Sequence, residues 1–249
     1  SLNNLCKYFM AEIIPAILPE DTDDLREKLS LISGIAPLVQ IDVCDGKFTP
    51  TKTWPYRKGV DETFLRIVAQ EEGFPFWDSV DFEADLMVKH PENIIDDWVA
   101  TGAKRIIIHI ESTPDTLSLV RKIRQEYQYK NESSYGIEIG VALNIDTPNE
   151  EVYDILNALE EDGAPIDLVQ FMGIENIGYQ GEPFDERVFE KIRDLREKFP
   201  DTIISIDGGV SLENASELIK AGANRLVSGS AIFESGDIAG TIEVFQNLG

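Results

Sequence analysis

The sequence predicts an α/β fold, a closed (β/α)8 TIM barrel, and three observations carry that reading. Short runs rich in Val, Ile and Leu recur along the chain, each followed by an amphipathic, helix-like stretch. Apolar strands separated by helices pair in parallel, because the helices cover both faces of the sheet. Eight such units in 249 residues match the usual barrel size of about 250 residues. An open doubly wound sheet fits less well, since no Gly-x-Gly-x-x-Gly follows the first strand.

The strand segments are EIIPAIL, PLVQIDV, SVDFEADLMV, RIIIHI, IEIGVAL, DLVQFM, TIISID and RLVSG. Helix signals keep the same cadence. Pro91 opens PENIIDDWVATG with Gly102 at its end, Pro148 opens PNEEVYDILNAL, and Ser211 opens SLENASELIKAG with Gly222 as the stop. TGAKRIII and AGANRLVS echo each other, as similar units of one barrel would. The chain is expected to form one barrel domain over residues 1–249, with an enlarged loop region at about 47–79. That region holds KFTPTKTWPYRKG and FPFWDS, and following strand two it would lie on the catalytic rim. Residues 124–136 are also longer than a plain unit needs. Trp54, Tyr56 and Trp77 have two readings of equal standing: a lid or oligomer contact, or the packing of a long loop.

Composition narrows the function. With 43% hydrophobic residues the chain can bury a full core. Lys and Arg number 22 against 46 Asp and Glu, a formal net charge of -24, which disfavours nucleic acid and anionic membrane surfaces as partners. Cys6 and Cys44 are too few for a disulfide framework, and no long apolar run or leader pattern is seen. A soluble, cytoplasmic protein acting on a small molecule, and assembling as a homo-oligomer, is expected.

Asp42 and Asp207 occupy matching places, each ending an apolar run that passes into glycine. Two carboxylates at barrel strand ends suggest an acid and base pair. NIGYQG, DGG and GSAIF supply backbone that can approach an anion closely, at Gly178 and Gly181, Gly208 and Gly209, and Gly229 and Ser230. The last four fall in the loops after strands seven and eight, where barrels commonly hold phosphate. The pattern predicts proton chemistry on a phosphorylated substrate.

At these residues the chain resembles the ribulose-phosphate 3-epimerase family nearly end to end. PAIL, IDVCDGKFTP, ADLMV, HIES, GVALN, NIGYQGEPF, IDGGV and GSAIF are similar to family motifs in the same order. The resemblance implies a ribulose-phosphate-binding barrel in which two aspartates, here Asp42 and Asp207, exchange protons at C3 of a ketose phosphate while a divalent metal steadies the enediolate. It also exposes departures. The family places His where Gln40 and Asp85 stand, and Ser where Ala16 stands. The metal set offered here is Asp42, Asp85 and Asp207, with Gln40 beside them. Oxygen ligands suit magnesium or manganese rather than zinc, or no metal at all.

Several readings stay open on the sequence. Asp85 is a catalytic-face carboxylate or pairs with Lys89 or another cation; Gln40 binds substrate hydroxyls or fills the space of the lost ligand. His90, before Pro91, reads as surface, Met87 and Met172 as core, and Cys44 as a buried apolar residue. The Asp-x-Lys-x-x-Asp element of barrel lyases and decarboxylases is missing. The alternative to an epimerase is a non-catalytic, phosphate-binding paralogue.

Overall fold

A computed structural model describes residues 11–127 and 136–248. Eight parallel strands close into a barrel in sequence order, β1-β2-β3-β4-β5-β6-β7-β8. They are β1 (Glu12–Ile17), β2 (Leu38–Cys44), β3 (Asp81–Met87), β4 (Arg105–His109), β5 (Glu138–Leu143), β6 (Leu168–Met172), β7 (Ile204–Asp207) and β8 (Arg225–Ser228). Helices run between them: α1 (Thr22–Ile32), α2 (Glu62–Val68), α3 (Ile95–Ala100), α4 (Thr116–Tyr127), α5 (Glu150–Glu161), α6 (Val188–Lys198), α7 (Ala215–Ala221), α8 (Ser230–Phe233) and α9 (Ile238–Gln246). No helix among the described residues is long and apolar enough to cross a membrane.

Period-two alternation sorts each strand. Val39, Ile41 and Val43 of β2, with Ile106 and Ile108 of β4, point outward into the apolar layer under the helices. The residues between them fill the barrel, and their polarity differs at its two ends. At the N-terminal end, Arg225 donates to Glu83 at 2.8 and 2.9 Å and to Glu12 at 2.9 Å, and Arg105 pairs with Glu83 and Glu138. The Glu83 side chain is fully enclosed. Above this floor lies a small apolar cluster of Ile14, Ala16, Leu38 and Val227. The C-terminal end carries carboxylates and amides.

Three expected elements differ from the structure. The helix at Pro91 breaks into a 3-10 turn, Pro91–Asn93, and α3, because Ile94 has a non-helical φ of -131. Ser211 does not open α7. Asn214 accepts from the Ser211 N–H and donates to the Gly209 carbonyl, both at 2.9 Å, a local turn that delays the helix to Ala215 and ties it to the glycine loop. The 47–79 region is divided by α2. Its first part follows β2 at the C-terminal end, whereas Phe74 and Trp77 lie beside Asp81, at the start of β3 and so at the opposite end. Of the 124–136 stretch, residues 128–135 lie outside the described residues.

Candidate active site

The strand ends of β2, β3, β4, β6 and β7 converge on one buried cluster. Alternation along β2 turns both Gln40 and Asp42 inward, and the same spacing turns Ser205 and Asp207 inward from β7. The side-chain nitrogen of Gln40 donates to Asp42 Oδ1 at 2.8 Å and to Asp207 Oδ2 at 2.6 Å. Asp85 Oδ1 meets His109 Nε2 at 3.1 Å. Gln170 Nε2 lies 3.4 Å from both Asp85 Oδ2 and Asp207 Oδ2, and Ser205 donates to its oxygen at 3.1 Å. Asp42, Asp85 and Asp207 each offer one oxygen within 4.8 Å of the others. They form a buried carboxylate cluster able to hold a metal ion.

Burial and mutual repulsion set the charge of these groups. Removal from water raises Asp42 well above the usual carboxylate range, and the charges of Asp207 and Asp85 raise it further. Burial and the Asp85 charge push Asp207 up to about 7, against the N–H donors of Gln40 and the Gly208 backbone. Both shifts run the same way, toward the protonated carboxyl. Burial disfavours a charged His109, but the contact with Asp85 outweighs it and raises the imidazole overall. Phe48, from the segment after β2, covers that ring at 5.4 Å between centroids.

The cluster opens into a cavity of about 390 Å³ whose walls include Asp42, Asp207 and all six predicted anion-site residues: Gly178, Gly181, Gly208, Gly209, Gly229 and Ser230. Gly208 and Gly209 have φ of +94 and +67, a left-handed backbone that glycine adopts at little cost. A Cβ at Gly208 would meet Ile174 at 2.7 Å, and one at Gly209 would meet the Phe184 Cα at 2.8 Å, so the two loops close on each other through glycine. Met87 and Met172 are buried and still line the cavity. Cys44 is enclosed, and burial pushes its thiol up to about 12. It behaves as an apolar residue.

Gln40 is fully enclosed and is absent from the cavity walls, so it holds the two aspartates rather than touching the cavity. Asp85 also lies beneath the walls, and its partner is His109 rather than Lys89, which is exposed and sends its backbone N–H to Asp45. His90 is at the surface beside Glu92. Trp54 is buried edge-on against Phe64 and Trp98, at 5.4 and 6.0 Å, which makes it a packing residue, while Trp77 is 72% exposed. His109, Gln170 and Ser205 were not among the expected site residues. Their signal was a polar residue at an inward position of an otherwise apolar strand.

Fold and site together are those of a carbohydrate-phosphate epimerase, an enzyme of the isomerase class. The sequence profile of the ribulose-phosphate 3-epimerase family matches residues 12–233, and the chain belongs to that family. It is 32% identical to ribulose-phosphate 3-epimerase of Eremothecium gossypii over 90% of this chain and 87% of the relative. Identity to ribulose-phosphate 3-epimerase of Aquifex aeolicus is 30% over 96% and 97%. Among solved structures, 3-keto-L-gulonate-6-phosphate decarboxylase of Vibrio cholerae superposes with a TM-score of 0.64 at 14% identity, covering 96% of each chain. At that identity the likeness is one of fold.

Proposed function

We propose that the chain inverts C3 of a ketose phosphate, with Asp42 and Asp207 as the acid and base pair. The observation that carries this reading is the pair itself. Two buried carboxyls from β2 and β7, joined through the Gln40 nitrogen, face a single cavity with glycine loops at its far wall. A ketose phosphate held there would have its phosphate against the backbone N–H groups of Gly208, Gly209, Gly229 and Ser230, with Gly178 and Gly181 on the facing loop. That anchoring sets C3 between the two carboxyls. The ionised one removes the C3 proton, and the protonated one returns a proton to the opposite face. Reversing the reaction exchanges their roles.

The residues present fit a hard divalent cation. Three carboxylate oxygens within 4.8 Å of one another, beside the unpartnered buried oxygen of Gln40, make an all-oxygen donor set. Asp42, Asp85 and Asp207 would hold magnesium or manganese rather than zinc. Such an ion would supply positive charge to offset the negative charge that develops on the substrate's carbonyl oxygen. Within the chain itself, the amide nitrogens of Gln40 and Gln170 orient the carboxylates.

Hydrogen exchange at C3 of ribulose 5-phosphate in heavy water, with and without added manganese, tests the proposal. Incorporation of deuterium at C3 is the expected outcome. Phosphate binding without any exchange under either condition would overturn it in favour of a phosphate-binding paralogue.

A further inference from the structure

The glycine loop after β6 also brings a polar side chain to the cavity. Gln180 extends from the loop after β6 across the mouth to the loop after β8. A Cβ built on Gly229 would lie 2.8 Å from the Gln180 side-chain nitrogen and 3.2 Å from the Ala16 carbonyl oxygen. The carboxamide thus fills the volume that a side chain at 229 would take, and the glycine is what admits it. Gln180 also lines the cavity that descends to Asp42 and Asp207.

Charge gives this placement its meaning. Among the described residues no lysine or arginine stands in the cavity walls, whereas the carboxylates Glu182 and Glu234 do. An anion here gains nothing from a basic side chain and must be held by neutral donors. Among the described residues Gln180 is the only nitrogen-bearing side chain in those walls. A lysine at that place would be drawn to Glu182 or Glu234, but a carboxamide donates an N–H without bringing a charge that the acidic rim can capture.

We propose that Gln180 donates its side-chain N–H to the substrate's phosphate across Gly229. The inference rests on the anion site of the preceding section. Its test uses the isosteric variant Gln180→Met, which keeps the length and removes the donor, together with Gln180→Glu. Inorganic phosphate binding is measured by calorimetry, and KM and kcat with ribulose 5-phosphate. Loss of a hydrogen bond to a charged group should weaken phosphate binding of Gln180→Met about tenfold or more. Gln180→Glu should be weaker still. KM should rise with kcat little changed, and the melting temperature without phosphate should not move, because Gln180 is exposed at the mouth. Phosphate binding by Gln180→Met within twofold of the unmodified protein would overturn the role of Gln180 and leave the anion site standing. Absence of phosphate binding in the unmodified protein would overturn both.

Discussion

Gln40 and Asp207 are 167 residues apart in the chain and meet at 2.6 Å on the barrel axis. The same nitrogen reaches Asp42 at 2.8 Å, so one carboxamide joins the two carboxyls from either side. A neutral amide with two N–H donors orients both groups but cancels none of their charge. Their raised proton affinity comes from burial and the neighbouring aspartate charges, which the Gln40 hydrogen bonds oppose only in part.

If Asp42 and Asp207 act as one unit, Asp42→Asn and Asp207→Asn should each lower kcat by about 100 to 10,000-fold. The double variant should be little slower than either single one, since groups working as a unit are far from additive. Steady-state rates on a ketose phosphate provide the check. Full activity in both single variants would exclude the acid and base assignment.

The pH dependence of stability has a definite sign. The Asp207 carboxyl is raised from 3.8 to about 7 in the folded protein, so its contribution is fully present below about pH 4 and is lost as pH rises through about 7. Asp42 acts in the same direction. Without added metal, Asp207→Asn should therefore raise the melting temperature at pH 8 and have a much smaller effect at pH 4. Manganese competes with protons for the same oxygens and should raise the melting temperature more at pH 8 than at pH 5. Asp85→Asn should weaken that response, with excess manganese restoring it. Protein purified without added metal should carry no stoichiometric zinc, which elemental analysis would reveal.

The glycine loop offers a separate test. Inorganic phosphate should raise the melting temperature by mass action. Gly209→Leu should abolish the rise, because a side chain at φ +67 would also meet the Phe184 Cα. An unchanged rise would remove Gly209 from the anion site.

At the other end of the barrel, Glu83→Ala would leave Arg105 and Arg225 facing each other without their shared carboxylate. Removing one partner of a buried ionic group costs about 3–5 kcal/mol. For a chain of this size that corresponds to a fall of about 10 °C in melting temperature. Calorimetric unfolding would measure it.

The eight strands were legible because each is an apolar run bounded by polar residues, and period two along PLVQIDV and TIISID turns the predicted aspartates inward. Asp42, Asp207 and the glycine loops could be read from local patterns of this kind. The partner of Asp85 could not. His109 is 24 residues away on the neighbouring strand, and nothing local distinguishes it from Lys89, which lies nearer in sequence but is exposed. Gln180 escaped for a similar reason, since its meaning depends on the missing side chain at Gly229. The aromatic segment was misjudged in part because α2 carries the chain from one end of the barrel to the other in the middle of it.

The ionic floor and the apolar layer above it have a consequence for traffic. Glu83, Arg105 and Arg225 are buried at the N-terminal end of the barrel, below the apolar cluster that holds Ile14 and Val227, whereas Asp42 and Asp207 line the cavity at the other end. A hydrogen taken from bound sugar would leave through the mouth of that cavity, where the sugar itself would stand. Solvent isotope should then enter product chiefly between turnovers, when the doorway stands empty.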